Sequence, residues 1–144
     1  MIILPEILAA RIREEGERSY PDECCGAVFG TATDDGAKSA VSILPVDNAR
    51  DDGESYHRFV ITAEDYLKAE LEARSRRLDI IGFYHSHPDH PAEPSEYDKE
   101  HALPFYSYAI VSVNNGAAAE LTSWELAPDR SVFYNEEILE GSQT

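Results

Sequence analysis

Two histidines one residue apart could hold a metal ion. His85 and His87 follow the apolar segment 79–84, which is typical of a central strand covered on both faces. Alternate residues of a strand point to the same face, so the two imidazoles can meet one cation. The ends of strands are also where open sheets place their sites. A His-x-His pair alone is a weak signal, because two loop histidines without a function would give it as well.

Asp98 offers a third metal ligand. If Ser95 caps a short helix, Asp98 lies in its first turn, and the proline-rich segment 88–94 can fold that turn over the strand end. Two histidines and one carboxylate leave the fourth tetrahedral position open for water, as in catalytic zinc sites. The Ser95-x-x-Asp98 pair is also a capping box, and it can have both roles. His90 and His101 are competing ligands, with surface or outer positions as the alternative for each.

Hydrolysis at such a site also requires a base. Zinc lowers the pKa of bound water to about 7, and a nearby carboxylate must take the proton and pass it to the leaving amine. The chain contains 28 acidic residues, so composition cannot select one of them. Glu23 is the candidate because it follows Tyr20-Pro21 and precedes an apolar segment that is predicted to be a strand.

The charge and the hydropathy pattern exclude several classes of protein. A formal net charge of -16 repels phosphate backbones, so we expect no nucleic-acid partner. Abundant carboxylates with few lysines are typical of proteins adapted to concentrated salt, and attraction to a basic partner is the alternative. No apolar stretch reaches the ~18 residues that cross a bilayer. The N-terminus does not resemble a signal peptide, so we expect a cytoplasmic protein without membrane contact.

Cys24 and Cys25 are adjacent, and neighbouring cysteines would close a strained ring that joins no distant segments. We therefore predict no structural disulfide and interpret the pair as thiols near a strand start, at least one of them buried. Zinc ligation by either thiol is less favoured, because a better ligand set exists elsewhere in the chain.

Helices and strands are mixed along the chain. Helices are predicted at residues 5–18, 62–77 and 95–103, with Thr62 and Ser95 as caps. Strands are predicted at residues 26–30, 40–46, 56–61, 78–87, 106–113 and 118–126, followed by a last strand or helix after residue 130. Residues 48–54 are predicted to be a loop, and His57 is expected at an exposed strand edge. Asn114-Asn115-Gly116 predicts a hairpin turn. The 144 residues suit a single α/β domain with a mixed sheet flanked by helices.

The polar residues form a recognisable pattern when they are taken together. Glu23-Cys-Cys-Gly26, then His85-Ser-His87, then seven residues, then Ser95-x-x-Asp98 resembles the JAMM motif of the MPN-domain (Mov34/PAD-1) metallopeptidases. That motif has a Glu, a long gap, His-Ser/Thr-His, seven residues, Ser, two residues and Asp. All five polar positions are present, and the resemblance extends from about residue 3 to residue 134.

The resemblance implies an α/β MPN fold related to the cytidine deaminase architecture. It implies that His85, His87 and Asp98 bind Zn²⁺, that Glu23 is the catalytic acid/base and that Ser95 stabilises the tetrahedral oxyanion. The small stand-alone bacterial members are similar in length. Resemblance to these members implies that the chain is a cytoplasmic metalloprotease that cleaves after the C-terminal Gly-Gly of a ubiquitin-like sulfur-carrier protein. The tail of that carrier could add as a strand to a sheet edge.

Three other classes compete with this interpretation. A non-catalytic MPN scaffold that binds a protein partner is possible on the same fold, although the complete ligand set argues against it. A zinc deaminase needs His-x-Glu followed by Pro-Cys-x-x-Cys, and the chain has neither. A metal-dependent phosphoesterase would use more carboxylate ligands and basic phosphate clamps. The insertions by which eukaryotic deubiquitinases hold ubiquitin are not found, so cleavage of ubiquitin chains is not expected.

Overall fold

The computed structural model describes residues 1–46 and 61–141. Within these ranges the chain forms eight strands and three helices. In chain order they are β1 (Ile2–Ile3), α1 (Glu6–Ser19), β2 (Cys25–Ala32), β3 (Lys38–Val46), α2 (Ala63–Ser75), β4 (Asp79–Pro88), α3 (Glu96–His101), β5 (Ser107–Asn114), β6 (Ala117–Leu126), β7 (Phe133–Glu136) and β8 (Ile138–Leu139). The predicted loop at residues 48–54, the position of His57 and nearly all of the predicted strand at 56–61 lie outside the described residues. Ile61 itself is not in a strand.

The strands of the described chain form one mixed sheet in the order β7-β6-β5-β4-β2-β3-β1-β8. The strand β4 pairs parallel with β5 and antiparallel with β2, so that His85 lies opposite Cys25 on one side and Ile110 on the other. The predicted mixed sheet flanked by helices is therefore confirmed. Because β4 has a neighbour on each side, its backbone is held in place at the positions that carry the histidines.

The sheet curves until its two edge strands are close together. The strands β7 and β8 lie at opposite ends of the sheet order, but only Glu137 separates them in the chain. The Ile2 N–H donates to the Glu137 carbonyl (2.9 Å). The amino group of Met1 lies 3.4 Å from the buried Glu136 carboxylate, which also accepts from the Ser123 hydroxyl (2.7 Å). The chain start therefore fastens the two edges together.

The alternation of side chains along the strands gives each face of the sheet its own core. On one face, Val28 of β2 packs in the same apolar cluster as Leu8 and Ile12 of α1. On the other face, Phe29 of β2 packs in a cluster with Ala69 of α2. Each fully buried Leu, Ile or Phe side chain contributes about 1.5–3 kcal/mol relative to its exposed state. The helices thus cover both faces, as the near-continuous apolar run of β4 predicts.

The segment after His87 is fixed by contacts with two distant parts of the chain. Asn115 (φ 52°) and Gly116 (φ 84°) form the predicted hairpin turn between β5 and β6, with the positive angles of a type I′ turn. The Asp89 carboxylate accepts from the Asn115 N–H (2.8 Å) and from the Tyr20 hydroxyl (2.6 Å). Both bonds lower the pKa of Asp89, and the bond from the Asn115 N–H has the larger effect. The exit of β4 is therefore anchored to the hairpin and to the end of α1.

No helix in the described part of the chain is both long and apolar enough to cross a membrane.

Candidate metal centre

The two histidines of β4 point to the same face and are both buried. Their Nε2 atoms lie 3.1 Å apart, and their ring centroids are separated by 4.9 Å. The Nδ1–H of His87 donates to the Pro91 carbonyl (2.9 Å). A neutral imidazole that carries its proton on Nδ1 has its lone pair on Nε2, so this bond directs the Nε2 lone pair of His87 toward the site.

The helix α3 brings the predicted carboxylate to these nitrogens. The Ser95 hydroxyl accepts from the Asp98 N–H (3.1 Å), and Asp98 Oδ2 accepts from the Ser95 N–H (2.9 Å), which completes the capping box. The same Oδ2 atom lies 3.3 Å from His85 Nε2 and 3.1 Å from His87 Nε2. The capping box therefore orients the carboxylate at the end of β4. Asp98 both caps α3 and contacts the two histidines.

The spacing of these three atoms fits a zinc ion. Zinc binds histidine nitrogen and carboxylate oxygen at about 2.0–2.2 Å with tetrahedral angles, which places neighbouring ligand atoms about 3.3–3.5 Å apart. The three separations among His85 Nε2, His87 Nε2 and Asp98 Oδ2 are 3.1, 3.1 and 3.3 Å. A ligand atom of Glu23, which is also buried, lies within 4.8 Å of a ligand atom of each histidine. This buried group can hold a metal ion.

The charges of the site are strongly coupled. Burial lowers the pKa of His85 more than the Asp98 carboxylate raises it. Burial also acts to lower the pKa of His87, but the contacts with Asp98 and with the Pro91 carbonyl outweigh it, so the pKa is raised. Burial alone would raise the pKa of Asp98, yet the two histidines and the Ser95 N–H hold it well below its usual range. Asp98 is therefore an anion at neutral pH, as a metal ligand must be.

Glu23 reaches the site through a contact that the sequence did not reveal. The Ser86 side chain lies on the opposite face of β4 from the two histidines and is fully buried. Its hydroxyl accepts from the Cys24 N–H (2.8 Å), and its own N–H donates to the Cys24 carbonyl (3.2 Å). Both main-chain groups of the residue after Glu23 are thus held by the residue between the two histidines. The hydroxyl in His-Ser-His was the available signal, because a buried serine requires a hydrogen-bond partner.

Gly26 allows β2 to approach β4 closely. A Cβ atom at this position would lie 2.3 Å from the Tyr84 ring, well inside van der Waals contact. The Tyr84 hydroxyl donates to both oxygens of the Glu15 carboxylate in α1 (2.8 and 3.0 Å), which fixes the ring. The glycine three residues after Glu23 is therefore required by packing beneath the site and not by turn geometry.

The two cysteines are buried thiols without a disulfide, as predicted. Burial raises the pKa of Cys24 to about 12 and also raises the pKa of Cys25. The Cys25 thiol donates to the Val46 carbonyl (3.4 Å). The thiolate is the form that binds metals and reacts with oxidants, and the raised pKa values keep both residues as thiols. Both side chains therefore serve the packing at the start of β2.

The competing histidines lie outside the tight cluster. His90 lies on the rim of an open groove of about 520 Å³, whose lining also includes Glu23, His87, Ser95 and Asp98. The Nδ1–H of His101 donates to the Tyr97 carbonyl (2.8 Å), and its ring stacks on Tyr97. Among the described residues, the group whose ligand atoms all lie within 4.8 Å of one another is Glu23, His85 and His87. Asp98 adjoins it through its contacts with both histidines, whereas neither His90 nor His101 belongs to it.

Comparison with known proteins identifies the family. The model of the prokaryotic homologues of the JAB domain (Prok-JAB) matches residues 5–127. The chain is 31% identical over 106 residues to a desampylase of Haloferax volcanii, which covers 73% of each protein. The solution structure of a protein from Salinibacter ruber is 44% identical, with a TM-score of 0.75 over 98% of this chain and 92% of the other. A solution structure from Desulfitobacterium hafniense is 26% identical, with a TM-score of 0.85 over 99% and 94% of the two chains. The chain therefore belongs to the family of prokaryotic homologues of the JAB domain.

Proposed function

We propose that this chain is a zinc metallopeptidase of the JAMM type. Its substrate is a peptide or isopeptide bond that follows the C-terminal Gly-Gly of a ubiquitin-like sulfur-carrier protein. The observation that carries the proposal is the triangle of His85 Nε2, His87 Nε2 and Asp98 Oδ2, with sides of 3.1–3.3 Å, next to the buried Glu23. Membership of the JAB family and a relative named desampylase support a hydrolase that acts on a ubiquitin-like protein.

The residues of the site have separate roles in this proposal. His85, His87 and Asp98 would hold the ion, because their three ligand atoms lie 3.1–3.3 Å apart, close to the spacing of tetrahedral ligands. A zinc ion bound there would supply Lewis acidity toward the scissile carbonyl and the attacking water. Glu23 takes a proton from that water as it attacks the carbonyl carbon, and it gives a proton to the leaving nitrogen as the C–N bond breaks.

The Ser95 hydroxyl can donate a hydrogen bond to the tetrahedral oxyanion while it caps α3. Its oxygen accepts from the Asp98 N–H (3.1 Å), and a hydroxyl that accepts one hydrogen bond still has a proton to donate. Ser95 lines the same open groove as Glu23 and His87. A donor aimed at the developing oxyanion contributes about 3–4 kcal/mol at the transition state.

The groove beside the site is lined by Glu23, His87 and Ser95 and by the carboxylates of Glu93 and Glu96. A Gly-Gly segment suits it because residues without side chains can bring their carbonyl groups close to a buried ion. The desampylase relative supports a ubiquitin-like partner for this groove. We propose further that residues 1–144 act as one domain in the cytoplasm.

The test combines metal analysis with a cleavage assay. The purified protein is expected to contain one zinc per chain and to release a short peptide fused after the Gly-Gly of a ubiquitin-like sulfur carrier, as measured by mass spectrometry. His87→Ala should lose the zinc, whereas His101→Ala should retain it. Glu23→Gln should retain the zinc and lose turnover, while the exposed control Glu64→Gln should retain both. A protein that binds no zinc and cleaves no carrier would be a scaffold, and the proposal would be wrong.

A further inference from the structure

A second, apolar cavity lies beside the metal site. It has a volume of about 280 Å³, and its walls include Phe83, Tyr66, Tyr108 and Phe133. His85 and Asp98 also line it, whereas Glu23, His87 and Ser95 line the open groove. The residues that line both are Pro94, Tyr97 and Asp98. This volume is close to the lower end of the roughly 300–1,000 Å³ of pockets that enclose whole small molecules. Its size is suitable for one large side chain.

The aromatic wall of this cavity is held in place by ring contacts. The Phe83 ring packs against the rings of Tyr66, Tyr106 and Tyr108, with centroid separations of 5.7, 5.3 and 5.9 Å. These separations lie within the range of favourable aromatic pairs. Since Phe83 precedes His85 by two residues on β4, the ring and the imidazole share one face of the strand. The pocket wall and the metal site are therefore parts of the same rigid surface.

The polar atoms of the wall are already engaged with one another. The hydroxyls of Tyr66 and Tyr106 are 2.7 Å apart, and the Tyr108 hydroxyl accepts from the Leu103 N–H (2.8 Å). Burial raises the pKa of Tyr66 and raises that of Tyr108 to about 12, so both phenols stay neutral. The ring surfaces are what remains for a ligand to contact.

The described lining residues of the cavity offer little to a charged side chain. Asp98 is the carboxylate among them, and its Oδ2 atom accepts from the Ser95 N–H and faces both histidine nitrogens. His101 at its edge is hydrogen-bonded and stacked on Tyr97. The neighbouring open groove, in contrast, is lined by several carboxylates. An uncharged apolar side chain is therefore the occupant that the lining favours.

We propose that this cavity is a side-chain pocket of the peptidase, and that it binds a large apolar or aromatic side chain of the substrate close to the scissile bond. The proposal rests on the proposed peptidase function. His85 and Asp98 belong both to the proposed metal site and to the lining of the cavity. Because each extended residue spans only about 3.3–3.6 Å, the side chain in the cavity must belong to a residue close to the scissile bond. The occupied residue lies on either side of the bond, and the experiment distinguishes the two sides.

The first experiment compares two series of substrates for the zinc-loaded protein. In one series, the residue that follows the Gly-Gly of the carrier is Phe, Leu, Ala, Lys or Asp. In the other, the residue that precedes the Gly-Gly is varied in the same way. In one of the two series, kcat/KM should be at least ~10-fold higher for Phe and Leu than for Ala, and lower still for Lys and Asp. Equal kcat/KM values throughout both series would overturn the pocket while leaving the peptidase intact. No cleavage of any substrate would overturn both.

The second experiment places a charge at the mouth of the pocket. Leu103 lines the cavity and is 47% exposed, and its contact with Tyr108 is made by its backbone N–H, which Leu103→Asp retains. This variant should reduce the ratio of kcat/KM for Phe over Ala at least ~5-fold. The matched control is Leu71→Asp on α2, where the side chain is 54% exposed and does not line the cavity; it should leave the ratio unchanged. An unchanged ratio in Leu103→Asp, or an equal loss in Leu71→Asp, would contradict the assignment.

Discussion

Ser86→Ala tests how the sheet positions the proposed base. In an antiparallel ladder, a hydrogen-bonded residue pair exchanges two main-chain bonds. Between Ser86 and Cys24, the Ser86 N–H donates to the Cys24 carbonyl (3.2 Å), but the Cys24 N–H donates to the Ser86 hydroxyl (2.8 Å). The side chain thus accepts the bond that a carbonyl would normally accept. The chain leaves the regular ladder one residue before β2 begins, and Glu23 lies at the point of departure.

The size of the effect follows from the burial of this contact. Ser86 and Cys24 are both buried, so the alanine variant leaves a buried N–H without its acceptor, at a cost of about 1–3 kcal/mol. In a chain of this length, each kcal/mol corresponds to roughly 2–4 °C in Tm. A displacement of about 1 Å in a catalytic group can cost about 100-fold in rate. We therefore expect kcat to fall about 10–100-fold while KM changes less than about 3-fold.

The assay measures Tm, zinc content and the kcat and KM for carrier cleavage, at a temperature where every variant is folded. Ser112→Ala is the matched control, because this buried serine also accepts a backbone N–H through its hydroxyl (3.1 Å), from Glu120 on β6. It should lose less stability, because Glu120 is an exposed residue, and it should retain kcat per zinc-loaded molecule. Ser86→Thr restores the acceptor oxygen and should recover most of the lost kcat.

The result that would refute this reasoning is specific. If Ser86→Ala lowers Tm but retains the wild-type kcat with a full complement of zinc, the position of Glu23 does not depend on the Ser86 hydroxyl. A kcat that falls only in proportion to lost zinc would also contradict it, because the effect would then act on the metal ligands.

Four further results are expected from the same structure. Glu23→Gln should retain zinc while kcat falls at least ~100-fold, and full activity would exclude Glu23 as the base. Gly26→Ala should lower the free energy of unfolding by about 1–3 kcal/mol in urea, since its Cβ would lie 2.3 Å from the Tyr84 ring; an unchanged midpoint would contradict the packing. Two residues added before Met1 should cost about 1 kcal/mol, because the amino group would leave the Glu136 carboxylate, and an unchanged Tm would show that this half-exposed contact contributes nothing. Raising KCl from 0.1 to 1 M should raise Tm, because a net charge of -16 repels itself less when the screening length falls from about 10 to about 3 Å; a falling Tm would exclude charge repulsion as a limit on stability.

The elements that the sequence predicts correctly are those with local signals. Thr62 accepts from the Asp65 N–H at the start of α2, as the sequence of the cap indicates, and the Ser95 capping box begins α3. The turn at Asn115-Gly116 needs only two residues that tolerate positive φ. In each case the interactions that stabilise the cap or the turn are made between groups within four residues of one another. A short segment of sequence is therefore enough to predict it.

The elements that the sequence misses depend on distant partners. The strands β1 and β8 have two residues each, too few for any periodicity, and they exist because they pair with one another and, for β1, with β3. In α1, Ile7 and Leu8 are adjacent apolar residues, yet Ile7 is 61% exposed and the buried stripe runs through Leu8, Ala9 and Ile12. The helical period limits which residues can lie on one side of α1. The position of the sheet against which α1 packs decides which of two adjacent apolar residues is buried.

The same distinction applies to the site. His85, His87, Ser95 and Asp98 lie within 14 residues of one another, so strand alternation and a helix cap suffice to predict that they converge. Glu23 is 62 residues away from His85. Its place before a predicted strand makes it a candidate, but the family motif is what favours it over the other acidic residues. The aromatic pocket was not foreseen, because its rings come from separate elements whose order in the sheet is not written in any local pattern.

The register of β2 against β4 connects these observations. Cys25 lies opposite His85, and a bulge between Val28 and Phe29 shifts the pairing further along. Because the side-chain period of a strand is two, a slip of one residue would turn both histidines toward α1 and bring Ser86 to the site face. The bulge and the Ser86 hydroxyl bond disfavour that slip, since each contact is satisfied in only one register. The Ser86–Cys24 contact and the bulge therefore fix the pairing on which the candidate metal centre depends, because they keep both histidines on the face that Asp98 covers.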